Sequence, residues 1–135
     1  MWMPRNHSVP EMEDSVFGRI AFEQGVWIFI PAVGTKGFMV TIVAPASGPS
    51  DMQRDCFRQI RSRLAAFQHE SLEFIQARLG ASINVARLSI YSVEIGADEE
   101  SRHGRFTLEF SDSDAAVIHR ISFDNSRPMG YAHDD

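Results

Sequence analysis

The chain has 135 residues, 44% of them apolar and 23% charged, a composition that excludes disordered, collagen-like and coiled-coil proteins. One domain of this length buries enough surface to fold without disulfides or a metal, which agrees with its single cysteine. The formal net charge of −5 is unevenly distributed: residues 1–49, 50–79 and 80–135 contribute −1, +1 and −5. This negative charge, with Lys36 as the only lysine, disfavours nucleic-acid binding.

The N-terminal residues have the wrong composition for a signal peptide. Residues 1–15 contain two prolines and three acidic side chains where a signal peptide has its apolar core. No run reaches the roughly 18 apolar residues of a membrane span. We therefore expect a polar leader over residues 1–15, no membrane association and a cytoplasmic protein.

The first half of the domain, which we expect to cover residues 16–124, has the pattern of a three-stranded meander. The predicted strands are residues 16–22, 26–30 and 38–43, separated by turn-forming clusters that contain glycine. The second strand is a continuous apolar run of β-branched and aromatic residues, which predicts that both of its faces are covered.

A helical region follows at residues 50–79. Ser50 and Gln53 have the spacing of a capping box, and apolar residues then recur at intervals of three and four until Gly80. A single helix of this length is long for the domain, so the region is one helix or two, with a bend expected at residues 69–71. Cys56 lies on the apolar stripe, where we expect an unreactive thiol.

The rest of the chain predicts three further strands, at residues 85–95, 105–110 and 117–123. Apolar residues change parity within the first of them, which predicts a bulge or two apolar faces. Residues 125–135 lack any period and are expected to form a loop or tail. The predicted fold is α+β, with a mostly antiparallel sheet of about six strands and one or two helices packed on one face, in the order βββ-α(α)-βββ. It requires no parallel crossover.

The segment from Trp27 to Asp124 also resembles a known group of domains. The order of its elements, the strand Arg-Phe-Thr-Leu-Glu-Phe at residues 105–110 and the strand His-Arg-Ile-Ser-Phe-Asp at residues 119–124 carry the likeness. They resemble small bacterial α+β domains of uncharacterised function, some of which are thought to be immunity proteins encoded beside polymorphic toxins. The resemblance implies protein binding rather than catalysis.

Among the histidines, the residue whose strand parity points it into the core is His119. The sequence has no zinc, calcium, P-loop or nucleophile-elbow motif, so we expect no metal, no cofactor and no catalytic residue. We interpret His119 as a structural histidine that is hydrogen-bonded to Asp112, Asp114 or Tyr91. The alternative is an enzyme that uses His119 with one of the two aspartates.

Two surfaces are candidates for partner binding. The acidic set, which a hairpin would divide between its two ends, is Glu94, Asp98, Glu99, Glu100, Asp112 and Asp114. The apolar set, a candidate oligomer face, is Val26, Trp27, Ile28, Phe29 and Ile30. The leading hypothesis is a non-enzymatic protein-binding domain, such as an immunity protein that neutralises a basic toxin through its acidic surface. The alternative is a small structural or regulatory homodimer.

Overall fold

The computed structural model describes residues 10–29, 37–112 and 117–134, which form a single sheet of eight strands with two long helices. The strands are β1 (Glu11–Asp14), β2 (Gly18–Glu23), β3 (Val26–Phe29), β4 (Met39–Val43), β5 (Leu88–Ile95), β6 (Phe106–Asp112), β7 (Val117–Asp124) and β8 (Arg127–Asp134). The helices are α1 (Asp51–Ser62), α2 (Leu64–Leu79) and the short α3 (Asp98–Arg102), with 3₁₀ turns at Gly80–Ser82 and Val85–Arg87.

The strands lie in the sheet in chain order, and every neighbouring pair except one is antiparallel. The exception is β4 and β5, which run parallel because the helices between them carry the chain back to the end where β4 began. The α+β class and the mostly antiparallel sheet are therefore confirmed. The expectation of about six strands with no parallel crossover is wrong.

The two unpredicted strands, β1 and β8, are the edges of the sheet. β8 occupies most of the expected tail, although it contains Pro128 and Gly130, and β1 lies within the expected leader with Met12 as its one apolar residue between acids. An edge strand pairs on one side only and tolerates proline and charged residues. These strands therefore lack the alternation of apolar and polar residues from which a strand is predicted.

The helical region is two helices, and the break falls at Arg63 instead of residues 69–71. Arg63 leaves helical geometry at φ −118° and ψ 21°, while backbone hydrogen bonds on either side of it continue from one helix to the next. The capping box at Ser50 and Gln53 is confirmed in both directions. The spacing of apolar residues continues through Arg63 without interruption, so the sequence does not predict the break there. The break allows both helices to follow the twist of the sheet.

One face of the sheet carries the core. Phe67 of α2 packs against Phe106 and Phe123, whose rings are stacked with their centroids 4.5 Å apart, and Phe57 of α1 packs against Phe17. The parity change in β5 is a bulge between Ile90 and Ser92, where the register shifts. Along every strand, residues that alternate with the core positions point to the opposite face, which no described helix covers.

Candidate functional site

The sheet face opposite the helices is the strongest candidate for a functional surface, and we call it the polar face. Its residues in the described strands are mainly charged, hydroxyl-bearing or small: Glu11, Glu13, Arg19, Ala21, Glu23, Val26, Ile28, Met39, Thr41, Val43, Ser89, Ser92, Glu94, Thr107, Glu109, Ser111, Ile118, Arg120, Ser122, Asp124, Arg127, Gly130, Ala132 and Asp134. The pattern follows from two-residue alternation, since the other parity of each strand belongs to the core.

A hydrogen-bonded network crosses the polar face over four strands. Arg120 of β7 donates from Nε to Glu109 on β6 at 2.8 Å and from a terminal nitrogen to Asp134 on β8 at 2.7 Å. Glu109 also accepts a hydrogen bond from the hydroxyl of Ser92 on β5 and is only 7% exposed. A carboxylate with so little exposure requires these partners, because burying an unpaired charge is strongly unfavourable.

Beside this network, the polar face contains a groove of about 490 Å³. Its lining residues come from β4 to β8 and the loop around α3: Thr41, Val43, Glu94, Ile95, Gly96, Glu100, Arg105, Phe106, Thr107, Ser122, Phe123, Asp124, Met129 and Gly130. Val43 and Met129 are 48% and 62% exposed, so part of the wall is open apolar surface.

Charged groups of the groove are arranged around Arg105. Its guanidinium lies 3.3 Å from a carboxylate oxygen of Asp124 and 3.6 Å from one of Glu100, and these contacts raise the pKa of Arg105. The third carboxylate, Glu94, has no hydrogen bond or ion pair with any described residue. The groove therefore has one cation and three carboxylates.

Glu94 lies between the groove and the network, and both affect its carboxylate. Partial burial raises the pKa of Glu94, and the negative charge of Glu109 raises it further, while Arg120 acts in the opposite direction. The charged form of Glu94 is thus less stabilised by its own chain than that of an ordinary surface glutamate. A positive charge brought into the groove would supply the missing stabilisation.

The acidic residues singled out from the sequence lie in different places. Glu94 and Glu100 line the same groove. Asp98 accepts a hydrogen bond from Ser50, and Glu99 forms an ion pair with Arg102 and lies 3.3 Å from Nε2 of His103.

The second acidic group expected at the other end of the hairpin begins with Asp112. Asp112 pairs in register with Leu88 at the start of β5, whereas Glu94 is near the end of that strand. Arg87 lies 4.0 Å from the Asp112 carboxylate. Asp114 lies outside the described residues. Within the described chain, the acidic set is divided between two ends of the sheet, as the hairpin geometry predicted.

The apolar set singled out from the sequence is divided between the two faces of β3. Trp27 is 2% exposed and donates its indole hydrogen to the Pro45 carbonyl at 2.8 Å, and Phe29 packs towards α1. Both therefore lie on the core side, where Trp27 is buried and Phe29 is partly buried. Val26 and Ile28 are on the polar face, and Ile30 lies outside the described residues.

His119 is buried on the core side of β7, as its parity predicted. Its Nδ1 is 2.8 Å from the Tyr131 hydroxyl on β8, and the two rings are stacked with centroids 5.9 Å apart. Burial lowers the pKa of His119, followed by the effect of His133, while Asp112 acts in the opposite direction. The sequence did not identify Tyr131 as a partner because β8 was expected to be a tail.

Of the groove residues, the sequence singled out only Glu94 and Glu100, and those that it missed include Arg105, Asp124 and Met129. Arg105 begins one predicted strand and Asp124 follows another, and only the register of β6 against β7 shows that they meet. Of the described residues, none forms a helix long and apolar enough to cross a bilayer, and no three metal-binding side chains are grouped together. The chain matches no protein-family model, and no curated protein and no solved structure is significantly similar to it.

Proposed function

We propose that this protein is a non-enzymatic protein-binding domain that receives a basic partner on its polar face. The observation that supports this is the charge of that face in the described strands. The carboxylates are Glu11, Glu13, Glu23, Glu94, Glu109, Asp124 and Asp134, and the cations are Arg19, Arg120 and Arg127. Arg19 and Arg120 already have carboxylate partners, Glu11 at 2.6 Å for Arg19 and the Glu109–Asp134 pair for Arg120, and Arg127 lies opposite Asp124 in the register of β7 and β8. The face therefore presents excess negative charge.

Charge complementarity favours a basic partner, and exposed apolar side chains favour an interface on the same face. An acidic surface speeds the encounter with a basic one and discourages acidic competitors. Exposed apolar side chains at Met39, Val43 and Met129 add surface that a partner could remove from water, as the centre of a protein interface requires.

A basic toxin is the partner class that we propose. Some of the domains that the sequence resembles are thought to be immunity proteins, and an acidic face could block a toxin whose active site is basic. In this role the polar face would contact the toxin directly, and the helices would serve only to hold the sheet.

The test compares capture of a partner by two charge-reversed variants. Glu23→Lys/Glu94→Lys alters the polar face, and Glu70→Lys/Glu73→Lys makes the same change of charge on α2. We expect wild type and the α2 variant to capture the same basic protein, and the polar-face variant to lose it. Raising the salt from 0.1 M to 1 M should also release it, since the screening length falls from ~10 Å to ~3 Å. Equal capture by both variants would contradict the proposal.

Self-association is the second candidate, because Met39 and Val43 are exposed next to Val26 and Ile28 on the polar face. A twofold dimer through this face would bring the same carboxylates of two copies close together, which is unfavourable. Light scattering distinguishes the two candidates. A dimer that Val43→Asp converts to monomer would support self-association, whereas a monomer at 100 μM would favour the basic partner.

A further inference from the structure

Both arginines next to the groove are already shared between two carboxylates. Arg105 lies against Glu100 and Asp124, and Arg120 binds Glu109 and Asp134. The N–H donors of both guanidinium groups are therefore directed to carboxylates of the same chain. Neither arginine forms an ion pair with the remaining carboxylate.

That remaining carboxylate, Glu94, is placed where a ligand could reach it. It lies on β5 in register with Thr41 of β4 on one side and Thr107 of β6 on the other. All three residues line the groove, together with the hydroxyl of Ser122. One unpaired anion is thus surrounded by neutral hydrogen-bond acceptors.

From this geometry we infer that the groove binds an arginine side chain of the partner, with the Glu94 carboxylate as its ion-pair acceptor. The inference rests on the proposed function and specifies its contact. A guanidinium has five N–H donors in a planar fork, of which a carboxylate takes two. Thr41, Thr107 and Ser122 offer acceptors for others, and the exposed side chains of Val43 and Met129 offer an apolar wall for the aliphatic stem.

Arginine fits this site better than lysine or a metal ion. An ammonium group is compact and strongly hydrated, and it gains less from acceptors spread around a groove of about 490 Å³. A divalent ion would need several carboxylates within coordinating reach, and no three metal-binding side chains are grouped among the described residues. The other two carboxylates of the groove, Glu100 and Asp124, are occupied by Arg105.

The test is a titration of the intact ¹⁵N-labelled chain with short peptides, followed by amide chemical shifts. The probe is acetyl-Gly-Arg-Gly-Arg-Gly-amide, and the matched controls replace both arginines with citrulline, which is uncharged, or with lysine. We expect the arginine peptide to shift amides of Thr41, Glu94, Thr107 and Ser122. The citrulline peptide should leave them unchanged, and the lysine peptide should bind more weakly.

Two variants measure the contribution of the carboxylate. Glu94→Gln should raise the Kd for the arginine peptide at least tenfold, whereas Glu73→Gln on α2, which removes the same charge, should change it less than twofold. Circular dichroism checks that both variants remain folded. If the Glu94→Gln chain still binds the peptide on the polar face with unchanged affinity, the inference is overturned while the proposed function stands. If basic peptides bind wild type only on the helices, both are overturned.

Discussion

The amide of Gln53 joins three parts of the structure, and its removal tests how the sheet and helices are held together. Its Oε1 accepts from the Ser50 backbone N–H at 3.0 Å, which completes the capping box of α1. Its Nε2 donates to the carbonyls of Val43 at 2.7 Å and Gly96 at 2.8 Å, at the ends of the parallel strands β4 and β5. Gln53 is only 2% exposed, so these bonds are largely shielded from water.

The expected loss of stability follows from the hydrogen bonds that Gln53→Ala removes. The Ser50 N–H and the Val43 carbonyl lose their side-chain partner, whereas the Gly96 carbonyl keeps the Ser101 hydroxyl at 3.3 Å. A buried donor or acceptor that loses its partner destabilises a protein by about 1–3 kcal/mol. Water could reach part of the site, since Gln53 borders a surface depression of about 510 Å³, which favours the low end of that range. We therefore expect the free energy of unfolding to fall by about 2 kcal/mol, and for a chain of this size Tm to fall by roughly 7 °C.

Urea unfolding at 25 °C measures this loss directly, with the m-value checked for a constant change in exposed surface. Gln59→Ala is the matched control, because Gln59 is an exposed glutamine of the same helix with only a 3.4 Å contact to Ser126. It should change the free energy of unfolding by less than about 0.5 kcal/mol, as exposed substitutions usually do. A loss below 1 kcal/mol for Gln53→Ala at unchanged m-value would refute the role assigned to this amide.

Three further predictions concern buried side chains. Because the folded chain lowers the pKa of His119 below its ordinary value of 6.5, the unfolded chain takes up the proton first. Stability should therefore decline as pH falls below 6.5, and less so in His119→Leu; equal declines would contradict this. The pKa of Asp14 is lowered although burial raises it, because hydrogen bonds from Arg54 and two backbone N–H groups outweigh the burial. Its stabilisation is present above pH 3.8 and is lost as pH falls through the lowered pKa, so in urea unfolding Asp14→Asn should lose about 2 kcal/mol at pH 7 and progressively less as pH falls below 3.8. Trp27→Ala should lose about 3–5 kcal/mol, as large core truncations do, and a smaller loss by the same assay would place Trp27 outside the core.

The sequence predicted those elements whose signals are local. The strict alternation of Phe106, Leu108 and Phe110 assigned β6 and its faces, and the Ser50–Gln53 spacing located the start of α1 to the residue. The bulge in β5 followed from a change of parity within one strand. In each case the information lies within a few consecutive residues, and tertiary packing reinforces it.

The edge strands and the parallel pair depended on information that is not local. The Glu11–Asp14 strand has too few apolar residues to indicate its state, and the parallel direction of β5 depends on the end of the sheet to which the intervening helices return the chain. The candidate site shows the same limit. Sequence spacing grouped Glu94 with Glu99 and Glu100, but only the folded chain shows that Glu99 is paired with Arg102 and that Glu94 is not paired.

The network around Glu109 also bears on why the polar face suits a binding role. A buried ion pair such as Glu109–Arg120 contributes little more to stability than well-packed apolar residues would. Apolar residues at these positions, however, would join Val43 and Met39 in a continuous exposed apolar patch, which promotes self-association. Arg120 instead links β6, β7 and β8 by charge and keeps the face polar. The same network sets a negative charge beside Glu94, so that the carboxylate left unpaired is the one best placed to gain from a partner's cation.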